Sequence, residues 1–288
     1  MTTDADLVLR ALATRGPRWF DGLARPLAAS RWRAVTETTG LDRRTYGTVR
    51  YLAADASVPR ADLASVPLPA AFASDGSVSV EALRGEPLRR YAGLGLDFHA
   101  DGEAQAALLR KRLLEAFDRL AQVPGAAAAI GAVLAVLHVV RPEGPDYDVS
   151  YSDPDLPFSV FVGIDHRPAA NGALRLAEGI LHECMHLQLS LVEGTVPMVA
   201  GADERLHSPW QGTMRPVQGI LHGLYVFRVI QDFHRALLEA GSLTEAERAY
   251  LGRRIAGIEE EAVAVRDLAG SRDLTPAGRE LAVLLLAS

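Results

Sequence analysis

Between Val123 and Val140 the chain carries no Asp, Glu, Lys or Arg. So long an uncharged run has to leave water, either across a membrane or inside a protein core. It contains Pro124, Gly125, Gly131 and His138 and otherwise consists mostly of small residues and valine. That composition predicts a buried helix running into a strand, not a membrane span. The 288 residues, 49% of them hydrophobic, are enough for one large core or two unequal lobes. The acidic opening Met1-Thr2-Thr3-Asp4-Ala5-Asp6 is unlike a signal peptide, and the lone Cys184 allows no intrachain disulfide. Both point to a cytoplasmic protein without a membrane partner. The net charge is -6 and Lys111 is the only lysine, so there is no broad basic field for nucleic acid.

Periodicity and punctuation sketch the elements. Leu7 to Leu12 reads as helix, and Ser57 to Ser79, rich in Ala, Pro and Ser, as an extended connector. Glu103 to Gln122 carries an apolar stripe at helical spacing. Tyr147 to Tyr151 and Phe158 to Ile164 read as two strands. A helix from Asn171-Gly172 to about Val192 follows, then another that Pro216 opens and that reaches about Ala240. Ser242-Leu243-Thr244-Glu245 looks like a capping box, and Thr275-Pro276 opens a last helix. The expected fold is α+β and mainly α-helical, with a metal-binding helix pair packed beside a small antiparallel sheet. It is read as one catalytic domain, 1–288, divisible into an N-terminal lobe 1–100 and a metal-site core 101–288.

The segment His182-Glu183-Cys184-Met185-His186 lies inside the helix that starts at Gly172. At about 100° and about 1.5 Å per residue, the two histidines fall roughly 40° apart and one turn apart, so both rings can reach one ion. Gly179, one turn earlier on that face, would leave room above the ion. Glu183 lies near enough to act on solvent at the metal. Cys184 faces away.

A third ligand has to come from elsewhere. The metzincin pattern would need Gly at Leu189 and His at Val192, so it is excluded. Glu193 lies about two turns beyond His186 and is set aside. His222 is the best candidate, on a second helix and preceded by Gly-Ile-Leu as His182 is. Gly219 and Gly223 beside it would let a second helix approach closely. Glu204 and His207 are weaker candidates.

The combination of His182-Glu183-x-x-His186, Ser208-Pro209-Trp210, Arg215-Pro216 and Gly219-Ile220-Leu221-His222-Gly223-Leu224-Tyr225-Val226-Phe227 resembles the HExxH-type peptide β-hydroxylases. These are Fe(II)- and 2-oxoglutarate-dependent oxygenases that modify ribosomally made precursor peptides. The resemblance covers about Tyr147 to Phe227. Gln211-Gly212-Thr213-Met214 departs from it, since members often carry Arg and Asp there. The resemblance implies Fe(II) held by His182, His186 and His222, with 2-oxoglutarate as cosubstrate. A cation must then hold the distal carboxylate of the cosubstrate; Arg215 is the first choice and Arg175 the reserve.

The alternative is a zinc metallopeptidase in which Glu183 is the general base, Zn(II) takes the histidines and the strand Phe158 to Ile164 pairs with an extended peptide. A third reading is a peptide-binding protein with a vestigial site. Phe98-His99-Ala100-Asp101 contains a His-x-Asp spacing but reads as a helix start with Asp101 as N-cap. Glu259-Glu260-Glu261 reads as an exposed helix face.

Overall fold

The computed structural model describes residues 3–287 apart from 14, 15, 17, 75, 100–102, 146 and 242. The expected N-cap Asp101 and the first capping-box residue Ser242 lie outside the described residues. In chain order the elements are α1 (Asp4–Leu12), α2 (Asp21–Thr39), α3 (Thr48–Ala53), β1 (Asp62–Pro67), a 3-10 turn (Ala70–Phe72), β2 (Ser77–Glu81), α4 (Gly85–Gly93), α5 (Glu103–Ala121), α6 (Pro124–Val133) and β3 (Val136–Val140). They continue with β4 (Ser150–Ser152), β5 (Ser159–Gly163), α7 (Gly172–Glu193), β6 (Arg205–Ser208), β7 (Thr213–Pro216), α8 (Val217–Ala240), α9 (Glu245–Ala264), a second 3-10 turn (Arg266–Gly270) and α10 (Pro276–Leu286). The fold is α+β and mainly helical. No helix among the described residues is long and apolar enough to cross a membrane.

The chain forms two compact units. One holds the residues up to Leu27 and from Gln188 onward, the other Ala28 to Leu187. The division near residue 100 that the sequence suggested falls inside the second. Helices α2 and α7 contribute to both units.

The unit from Ala28 to Leu187 is built on a five-stranded sheet in the order β1-β2-β3-β5-β4. β2, β3 and β5 run parallel, and β1 and β4 are antiparallel to their neighbours, so the sheet is mixed where an antiparallel one was expected. β3 and β5 are buried along almost their whole length, which is why they read as unbroken apolar runs. The uncharged run divides as anticipated, into α6 and then β3. The connector read over 57–79 instead contains β1 and the first part of β2. Its Ala, Pro and Ser content suits a loop locally. Pairing between the two strands, together with complete burial of Val66, Val78 and Val80, overrides that preference.

A polar network runs through this core. His138 Nε2 lies 2.7 Å from Thr48 Oγ1, and its Nδ1 lies 2.9 Å from the Glu81 carbonyl. Thr48 Oγ1 also meets Ser159 Oγ at 3.1 Å, and the Tyr46 hydroxyl donates to the Pro157 carbonyl. Complete burial pushes the His138 imidazole down to about 4.

In the other unit α8 is the central helix, opened by Pro216 and closed by Gly241 at φ 87°. Arg228 is buried in it and donates to Glu259, Gln231 and the Leu285 carbonyl. The capping box that opens α9 is Thr244 with Glu247, two residues later than read from the sequence. The Glu259 to Glu261 run is not a bare exposed face. Glu259 pairs with Arg228, and Glu261 accepts from the Trp210 indole at 3.0 Å. β6 and β7 form an antiparallel hairpin with Ser208-Pro209-Trp210 at its bend and Arg215-Pro216 at its end.

Candidate metal centre

α7 begins just after Asn171, which takes φ 54°, a left-handed conformation that asparagine tolerates better than most residues. From Ile180 to Leu189 every residue is buried except His182 and His186. Their Nε2 atoms lie 3.1 Å apart, with the rings inclined at 64°. Two imidazole nitrogens about 2.1 Å from one ion stand about 3.0 Å apart at adjacent octahedral positions and about 3.4 Å at tetrahedral ones. The pair therefore fits two ligands of a single divalent ion, and it sits where solvent can reach it.

Glu183 points elsewhere. Its Oε1 accepts from Ser150 and its Oε2 from Ser152, each at 2.6 Å, and His182 Nε2 lies 3.8 Å from Oε1. Burial pushes the carboxyl up, against the pull of His186 and the two serine hydroxyls. Alternation along the strand places both serines on one face of β4. Asp148 continues that stripe two residues upstream, gripping Arg175 through both oxygens at 2.9 and 3.0 Å. Arg175 and Glu183 are eight residues apart on α7, about 12 Å along its axis, and Asp148 and Ser152 are about 13 Å apart along an extended chain. The matching lengths let one strand face engage one helix face at both ends.

This arrangement changes the reading of Gly179. A Cβ there would lie 3.9 Å from the Ser150 Cβ, so β4 covers the glycine where open space was expected. Arg175 holds Asp148 and the Pro145 carbonyl. Cys184 is fully buried, as expected of a residue facing away from the pair.

His222 and Arg215 belong to the other unit. His222 Nε2 is 2.9 Å from Glu193 Oε2, which also accepts from Gln218. Sequence reasoning had set Glu193 aside. Gly223 does not admit a second helix, because the Trp210 ring occupies that space: a Cβ there would come within 2.5 Å of it. Trp210 also stacks on Phe227, one turn further along α8. Gly219 is likewise covered, by the Arg215 side chain at 3.5 Å, and Arg215 itself is exposed on β7. Glu204 is committed to Ser271 Oγ and the Arg272 N–H, and His207 is exposed on β6 opposite Met214. His99, from the His-x-Asp spacing, hydrogen-bonds the Ile164 carbonyl.

Among the described residues no group of three or more His, Cys, Asp or Glu side chains is gathered as a metal-ligand set. The structure brings together His182 with His186, Glu183 with Ser150 and Ser152, and His222 with Glu193. Of the two serines only Ser150 fell in a strand read from the sequence, Tyr147 to Tyr151; Ser152 lay just beyond it, and the structure extends the strand to include it. No protein-family model and no curated protein matches the chain.

Proposed function

We propose that the protein is an Fe(II)- and 2-oxoglutarate-dependent oxygenase that hydroxylates a side-chain β-carbon of a ribosomally made peptide. The observation that carries this reading is the convergence of His182 and His186 Nε2 at 3.1 Å, on an otherwise buried stretch of helix. His182 and His186 would hold the ion, with His222 as the proposed third ligand and Arg215 as partner of the distal carboxylate of the cosubstrate. Iron, when bound, would supply oxygen activation: one oxygen atom of O2 enters the peptide C–H bond and the other enters succinate as 2-oxoglutarate loses CO2.

The engagement of Glu183 favours this over a zinc peptidase. A peptidase needs that carboxylate turned toward a water as general base. Here both of its oxygens accept from hydroxyls of β4, so the residue serves as an anchor between strand and helix. The strand once assigned to peptide pairing, β5, is also unsuited to it, since β3 and β4 flank it on both sides. The edge strands of this sheet are β1 and β4.

The test is spectroscopic. Anaerobic Fe(II)-loaded protein should develop a visible absorption band on adding 2-oxoglutarate. With oxygen and a peptide substrate, succinate should then form in step with a product heavier by one oxygen atom. Cleavage of the peptide backbone by the zinc-loaded protein, with no consumption of 2-oxoglutarate by the iron-loaded form, would overturn the reading.

A further inference from the structure

Glu193 is the last residue of α7. A helix ends in a partial negative charge, so the helix itself opposes a carboxylate at that position, and its last turn holds no basic residue to offset this. The donors come from α8 instead. Glu193 Oε2 lies 2.9 Å from His222 Nε2 and accepts from Gln218 Nε2 at 3.1 Å. Gln218 and His222 are four apart, hence neighbours on one face of α8. The His222 and Glu193 side chains are only 14% and 15% exposed, so the contact is largely shielded from water, where a charge-assisted hydrogen bond holds its geometry best.

We infer, on the reading of His222 as the third metal ligand, that Glu193 is a positioning residue: it holds the His222 proton on Nε2 and so presents Nδ1 as the nitrogen that binds the ion. A carboxylate can only accept, so Nε2 carries the hydrogen, and in a neutral imidazole the lone pair then belongs to Nδ1. His182 and His186 differ, since it is their Nε2 atoms that converge.

Distance separates this role from ligation. Glu193 is seven residues beyond His186, about 10 Å along the axis of α7, too far to share an ion with the histidine pair. It acts through His222, and Gln218 restrains its carboxylate in turn. A ligating histidine commonly donates its second N–H to a carboxylate, which fixes both the tautomer and the orientation of the ring.

The experiment reads the imidazole and the metal separately, with neither 2-oxoglutarate nor turnover. The full chain, its histidine rings isotopically labelled for nitrogen NMR, is kept metal-free in mildly alkaline buffer, where an ordinary imidazole is neutral. His222, assigned from the spectrum of His222→Gln, should show its proton on Nε2, protected from exchange with solvent. On titration with Zn(II), a diamagnetic stand-in for iron, the His222 Nδ1 resonance should move while the Nε2 proton stays. Glu193→Leu should lose the exchange protection and weaken Zn(II) binding by about ten- to a hundredfold. Glu193→Gln, whose amide oxygen can still accept, should recover much of both, a rescue that separates positioning from general destabilisation. A proton on Nδ1 in the parent chain would overturn the inference. So would parent-like Zn(II) affinity in Glu193→Leu when His222→Ala binds weakly, and the third ligand would then stand without its positioning partner. Parent-like affinity in His222→Ala as well would remove the third ligand itself, and the role of Glu193 with it.

Discussion

Ser152 donates a 2.6 Å hydrogen bond to Glu183, and Ser150 does the same to the other oxygen of that carboxylate. A buried carboxylate that loses one of its donors keeps its desolvation cost, about 1–3 kcal/mol for the group left short. Ser150→Ala and Ser152→Ala should each lower stability by about that amount in urea unfolding. In a Glu183→Gln background the same substitutions should cost less, because no charge is then left short. Equal losses in both backgrounds would mean that the serines act through packing alone.

His182→Ala and His186→Ala should each abolish stoichiometric metal binding, measured as metal content after dialysis and by titration with Fe(II). Both side chains keep solvent contact, so the thermal midpoint of the metal-free protein should change little. His222→Ala should weaken metal binding if this histidine completes the site. Parent-like affinity in that variant would assign its imidazole to the Glu193 contact alone.

Gly223 and Gly219 should respond oppositely to a methyl group. Gly223→Ala drives a Cβ into the Trp210 ring, which Phe227 and Glu261 also hold, and should destabilise by about 1–3 kcal/mol through overpacking. Gly219→Ala meets the side chain of exposed Arg215 at 3.5 Å, an ordinary contact. In the first turn of α8 the exchange should be neutral or stabilising by up to about 1 kcal/mol. Equal effects in thermal melts would place Trp210 away from Gly223.

The buried His138 predicts a pH dependence. Its folded value is depressed from 6.5 to about 4, so between these values the unfolded chain binds more protons than the folded one. Stability is therefore present above about 6.5 and is lost as pH falls toward 4, by about 2 kcal/mol between pH 7 and pH 5. His138→Gln should flatten that part of the profile in urea titrations. An unchanged slope would show that other groups cause it.

The chain's own sequence determined what local rules control. Asn171-Gly172, Pro216 and Thr275-Pro276 mark the starts of α7, α8 and α10. The turn-spaced histidines were legible for the same reason: a helix satisfies its backbone within its own segment and fixes side-chain spacing without reference to the rest of the chain. Only the tertiary structure decided the rest. β1 and β2 look like linker until each supplies the other's hydrogen bonds, and β5 looks like an edge until β3 and β4 flank it. Glu183 reads as a base until Ser150 and Ser152, over thirty residues away, take both of its oxygens. Gly223 reads as room for a helix until Trp210 fills it, and Glu193 reads as out of reach until it meets His222 on α8. Strand partners, donors for a buried carboxylate and the occupant of a glycine's empty side all come from distant parts of the chain, so nearest-neighbour pattern cannot name them.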